Sequence, residues 1–205
     1  MTKWLMVFTL CVFLNSPVYA MLQFLSPVVV SPFGDGDNWR LIEKLDYQIY
    51  ETPSIIILQP GFVTDFASIP RPFWSLLPTW GQYGPASIVH DFLYWDQQCT
   101  REQADAIFLA AMKESQVKEP WRSIIHFAVR VGGYFSWKSN QSLRQSGKTR
   151  EIPDDFDPPR IGETWDSYQN RIYESGYRPE PRPSSDPKPG YCSELEALIK
   201  SRDKQ

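Results

Sequence analysis

The sequence predicts a small α+β fold, a β-hairpin or meander followed by a three-helix cluster with a proline-rich, partly ordered C-terminal tail. Three observations predict it. LDYQIYE (Leu45 to Glu51) alternates apolar and polar residues, as a half-buried strand does, and SIIILQ (Ser54 to Gln59) follows as a β-branched run. From Pro85 onward the apolar residues recur at helical spacing. After Lys138 the composition shifts toward Pro, Ser, Asp, Arg and Lys.

The opening segment, MTKWLMVFTLCVFLNSPVYA, has a positive start at Lys3 and an apolar run from Trp4 to Leu14. The run is too short for a membrane-spanning helix. Asn15, Ser16 and Pro17 break it, and Val18 and Ala20 occupy the small-residue positions of a cleavage site. This pattern is that of a secretory signal peptide over 1–20, with Met21 starting the mature chain. An uncleaved anchor is the alternative. The reading implies an exported protein, periplasmic or secreted, with no transmembrane span after signal removal.

Thr52-Pro53 marks a turn between the two strand-like runs, and Pro60-Gly61 ends the second. In GFVTDFASIPRPFW (Gly61 to Trp74), Pro70 and Pro72 exclude helix and central strand. Pro85 suits a first helical turn, and a helix is expected from Ala86 to about Trp95. Thr100 and Gln103 form a capping box for a second helix, Arg101 to about Glu114. A third is expected from Trp121 to Val131, closed by Gly132-Gly133. Residues 21–138 thus form the α+β domain and 139–205 the tail, with short helical stretches within Gly162 to Gly176 and Ser193 to Ser201.

Cys11 leaves with the signal, so Cys99 and Cys192 remain. In an oxidising compartment they either close a disulfide that clips the tail beside the loop after the first helix, or stay as two thiols. The net charge of −3 and the lack of a basic block point away from nucleic acid.

The stretch GPASIVHDFLYWDQQCTREQADAIFLAAM carries the candidate chemistry. A short connection makes its two helices antiparallel neighbours. His90 lies as far before the middle of that connection as Asp105 lies after it, so the two can face each other. Tyr94 sits one turn after His90 on the same face. An aspartate facing a histidine fixes its tautomer and leaves the other ring nitrogen for general-base chemistry. Asp91 points about 100° away and could bind a cation such as calcium, which takes oxygen donors. Thr64 and Asp65, in a proline-held loop, could reach the histidine pocket, with Asp65 as a further metal ligand or a second carboxylate; alternatively Asp65 and Ser68 cap local backbone groups of the turn. The alternative for the whole cluster is a buried, satisfied hydrogen-bond network between core helices.

Other candidates read as structural. Ser68 lacks the G-x-S-x-G turn of a nucleophile. His126 lies among apolar neighbours as a core or boundary residue. Cys99 and the two histidines do not have zinc spacing. Trp74, Trp80, Tyr83, Phe92 and Trp95 form either core or an apolar pocket suited to lipid.

Two resemblances add to this. GFVTDFASIPRPFW, GPASIVHDFLYW, REQADAIFLAAM and VRVGGYFSW, in that order, resemble a domain family of unknown function found in phages, prophages and bacteria, over about Gly61 to Trp137. HDFLY followed by ADAIF also resembles the two-helix core of the phospholipase A2 superfamily. That likeness implies His90 as base, Asp105 as its partner, Tyr94 as a supporting hydroxyl, Asp91 as a calcium ligand and a phospholipid ester as substrate. Val89 and Ala104 stand where the secreted enzymes carry cysteines, and Gly81-Gln82-Tyr83-Gly84 only loosely echoes their calcium loop. The expectation is a hydrolase built on His90 and Asp105. The alternatives are a non-enzymatic envelope-associated or phage-derived module that binds phospholipid or another envelope component, and a hydrolase of another envelope polymer such as peptidoglycan.

Overall fold

The computed structural model describes residues 24–49, 51–66, 82–180 and 188–202. The leader, Ser68, Pro70, Pro72, Trp74, Trp80 and Gly81 lie outside the described residues. Among those described, strands precede helices in an α+β arrangement. Strands β1 (Val30–Pro32), β2 (Trp39–Leu41) and β5 (Val63–Thr64) form an antiparallel sheet in the order β1-β2-β5. Strands β3 (Leu45–Gln48) and β4 (Ile55–Leu58) form an antiparallel pair, with Leu45 opposite Leu58 and Tyr47 opposite Ile56.

The hairpin follows from alternation. Leu45, Tyr47, Ile56 and Leu58 are buried while Ile55 and Ile57 are exposed, so one face of the pair meets the core. The Thr52 N–H returns to the Ile49 carbonyl (3.0 Å) and closes the turn.

Helix α1 (Gly84–Asp96) starts with Pro85 in its first turn, and α2 (Arg101–Glu114) starts at a complete capping box between Thr100 and Gln103. Helix α3 (Trp121–Gln145) does not stop at Gly132-Gly133 as expected, but continues for a further three turns. The reason is packing. A Cβ on Gly133 would sit 2.3 Å from the Tyr94 hydroxyl, so this glycine admits a side chain from α1. The extension is used: Asn140 donates to the Tyr94 carbonyl (3.3 Å), and Arg144 donates to the carbonyls of Trp95 and Asp96 (3.1 and 2.8 Å), satisfying the end of α1.

The chain after α3 packs on the domain. Val63 N–H donates to the Arg150 carbonyl (2.8 Å), and Phe62 bridges Glu151. Helix α4 (Trp165–Glu174) buries Trp165, Tyr168 and Ile172 against Phe33, Val63 and Ile152, forming a second apolar cluster beside the main core. Helix α5 (Tyr191–Arg202) is fastened by a disulfide between Cys99, in the α1–α2 turn, and Cys192. No described helix is long and apolar enough to cross a membrane.

The bridge closes a loop of sequence separation 93 and so restricts the unfolded chain. Replacing both cysteines with alanine should cost about 2–4 kcal/mol of stability. The check is the urea midpoint of oxidised parent and double variant; equal midpoints would show that the bridge contributes nothing.

Candidate functional site

His90 and Asp105 lie opposite each other across the α1–α2 pair, with His90 Nε2 3.0 Å from Asp105 Oδ1. Both are sealed, at 1% and 0% exposure. The Tyr94 hydroxyl donates to the same oxygen (2.6 Å). The other oxygen accepts from Arg101 Nη1 (3.2 Å), and Arg130 Nε stands 4.0 Å away. Arg101 also donates to the Arg130 carbonyl (3.2 Å), so the carboxylate gathers groups from α1, α2 and α3. Phe108 stacks on the imidazole at 4.6 Å between centroids, and Tyr94 lies against it at 4.1 Å.

Electrostatics assigns the protons. Burial works to raise the Asp105 carboxyl, but the hydrogen bonds from His90 and Tyr94 and the positive charge of Arg101 outweigh it and hold the group below its usual range. Asp105 is therefore ionised and accepts only. Burial lowers the His90 imidazole despite the opposing pull of Asp105. The consistent state is a neutral ring with hydrogen on Nε2 and a lone pair on Nδ1.

One residue further along α1, Asp91 addresses a second polar system. It is 1% exposed, and its Oδ2 accepts from the Thr64 hydroxyl (2.5 Å) and the Asp65 N–H (3.3 Å). Thr64 Oγ1 in turn accepts from the Phe66 N–H (3.2 Å). Asp65 pairs with Arg150 (3.3 Å). Burial, joined by the nearby Asp65 carboxylate, pushes Asp91 up to about 8, against the pull of Arg150 and Thr64. The TDF loop and the HD pair thus meet through Thr64 and Asp91.

Asp91 and Asp65 are neighbours among the described residues, and the Asp65 charge acts on Asp91. Among the described residues no group of three or more His, Cys, Asp or Glu side chains is arranged to hold a metal ion. Calcium takes six to eight oxygens, so these two side chains fall short of a calcium site by themselves.

His126 on α3 is half-buried, and its Nε2 has no hydrogen-bond partner among the described residues. Burial lowers it, while Asp105 acts in the opposite sense. Tyr83 belongs to the core. Phe92 and Trp95 line two separate open cavities of about 830 and 940 Å³, which Glu151 and Tyr177 border in common. Neither cavity is lined by His90, Asp91, Tyr94 or Asp105.

Sequence reasoning missed Arg101, Arg130 and Arg150. The i,i+4 spacing of Arg101 and Asp105 was a usable signal. Arg130 and Arg150 come from elements whose packing no local pattern reports.

The raised Asp91 makes a pH prediction. Its folded value lies above the unfolded 3.8, so its contribution to stability is full below that value and is lost as pH rises toward about 8. Asp91→Asn should remove this loss, so the variant gains on the parent as pH rises. Comparing the two also cancels His90, whose lowered value acts in the opposite sense. Parallel stability–pH curves from urea titrations would show that Asp91 ionises normally.

No curated protein and no solved structure matches the chain. One family model does, over residues 39–129, a span that contains β2 to β5, α1, α2 and the start of α3, and with them Asp65, His90, Asp91, Tyr94 and Asp105. The family is described as protein of unknown function (DUF1353).

Proposed function

We propose that the domain is a hydrolase of exported location that cleaves a lipid ester of the cell envelope, with His90 as general base and Asp105 as its orienting partner. The observation that carries this reading is the His90 Nε2–Asp105 Oδ1 contact at 3.0 Å, reinforced on the same oxygen by Tyr94. An ionised Asp105 holds hydrogen on Nε2 and aims the Nδ1 lone pair away from the pair. Nδ1 would take a proton from water as the water oxygen attacks the ester carbonyl. The tetrahedral intermediate then collapses with loss of the alkoxide, which takes the proton back from His90. Products are a carboxylic acid and an alcohol, and no redox change occurs. The Arg101 guanidinium keeps Asp105 ionised as the ring becomes cationic. Asp91 and Asp65 would be two of the ligands of a calcium ion, the others coming from groups beyond these side chains, and the ion would polarise the carbonyl when bound. No step above depends on it.

A second reading has its own observation. His90 and Asp105 are sealed, and the carboxylate is met by donors on both oxygens. That is also how a structural polar cluster is built, and it favours a non-enzymatic envelope-binding module.

The test is fatty-acid release from mixed phospholipid vesicles, with calcium and with chelator, by the parent and by His90→Ala and Asp105→Asn variants whose folding is checked by circular dichroism. Release by the parent that falls at least about 100-fold in folded His90→Ala supports the base assignment. Loss of release in chelator would assign calcium a part. A folded parent that releases nothing contradicts the hydrolase and leaves the polar cluster as scaffold.

A further inference from the structure

Helix α3 has a face that the fold does not use. Ile125, Ala128, Val129 and Gly133 are buried on one side. On the other, Phe127, Val131, Tyr134 and Phe135 are 67%, 64%, 53% and 76% exposed. Their spacing of four, three and one residues places them on successive turns of one stripe. Tyr134 and Phe135 meet edge to face at 5.8 Å at the C-terminal end of the stripe. Isolated exposed apolar residues are ordinary, but a contiguous stripe on one helix face marks an interaction site.

The charge on this helix is one-sided. From Trp121 to Gln145 it carries Arg122, Arg130, Lys138 and Arg144 and no aspartate or glutamate, in a chain whose net charge is −3. Arg130 and Lys138 flank the stripe. Two copies meeting through it would bring these cations together, which opposes a homodimer on this face. An anionic lipid surface satisfies both features. Its acyl boundary takes the phenyl rings, its headgroup region suits the Tyr134 hydroxyl, and its charge suits the flanking cations.

We propose that α3 is an interfacial docking helix, through which the protein adsorbs to anionic phospholipid with Phe127, Val131, Tyr134 and Phe135 inserted and Lys138 among the headgroups. The helix lies in the plane of the surface and does not span it. This shares its partner class with the hydrolase reading and deepens it, since Arg130 joins the stripe to the Asp105 cluster, but adsorption itself rests on α3 alone.

The experiment is co-sedimentation of the full chain with vesicles of phosphatidylcholine, and of phosphatidylcholine mixed with phosphatidylglycerol. The parent is compared with Phe127→Ser/Phe135→Ser, Lys138→Glu and Ile161→Ser, the last an exposed apolar residue outside α3. All carry the same N-terminus, so binding through that end appears equally in each. Anionic vesicles should sediment the parent, with binding weakened by salt. The double serine variant should bind at least about tenfold less, as two exposed aromatic anchors are lost. Lys138→Glu should lose part of the anionic preference, and Ile161→Ser should bind like the parent. Failure of adsorption by the parent, or equal binding by the double serine variant, overturns the proposal. So does a parent that is dimeric in solution and made monomeric by the serine substitutions, since the face is then an interface between copies. Adsorption without fatty-acid release sinks the hydrolase reading and leaves this one standing.

Discussion

The Asp105 carboxylate is the constraint around which the three central helices are arranged. A carboxylate taken fully out of water costs several kcal/mol unless charge and hydrogen bonds compensate. Here the compensation comes from His90 and Tyr94 on α1 and from Arg101 on α2, with Arg130 on α3 close by. Each donor sets a demand on a neighbouring element. Tyr94 reaches Asp105 only because Gly133 clears the space beside its hydroxyl. Trp137, one turn further along α3, packs edge-on against the Tyr94 ring at 5.1 Å. A single buried charge thus fixes the register of α1 against α2 and the approach of α3.

Adjacent helix positions point about 100° apart, and α1 uses that to serve two systems at once. His90 faces α2, while Asp91 faces the end of β5. The Thr64–Asp91 hydrogen bond ties the small sheet to the helical layer, and the Arg150–Asp65 pair draws in the chain beyond α3. The disulfide performs the same service at the other end of α1, holding α5 to the turn before α2. The ionisable groups with opposed shifts, a neutral His90, an ionised Asp105 and a proton-holding Asp91, sit within two turns of a helix pair.

Local signals in the chain were legible where local physics decides. Thr100 and Gln103 announced the start of α2, and the alternation in Leu45 to Gln48 announced a strand. The reflection of His90 onto Asp105 could be read because a short connection leaves two antiparallel helices little choice of register. Gly132-Gly133 was misread as a stop because glycine ends helices far more often than it admits a tyrosine from a neighbouring one. The packing of Trp165, Tyr168 and Ile172 against Phe33 was invisible, since more than 100 residues separate the partners and proline-rich composition masked the intent. Arg130 and Arg150 were lost for the same reason: their roles exist only after the helices and the returning chain are in place.

The His90–Asp105 pairing implies a definite protonation pattern, and nitrogen NMR of the imidazole tests it most directly. With His90 labelled at both ring nitrogens, the shifts should report a neutral ring across neutral pH, hydrogen on Nε2 and an unprotonated Nδ1. Asp105→Asn should shift the balance between the two nitrogens. A His90 that titrates at the ordinary histidine value, or that carries its hydrogen on Nδ1 when neutral, would contradict the pairing on which both the fold and the proposed chemistry depend.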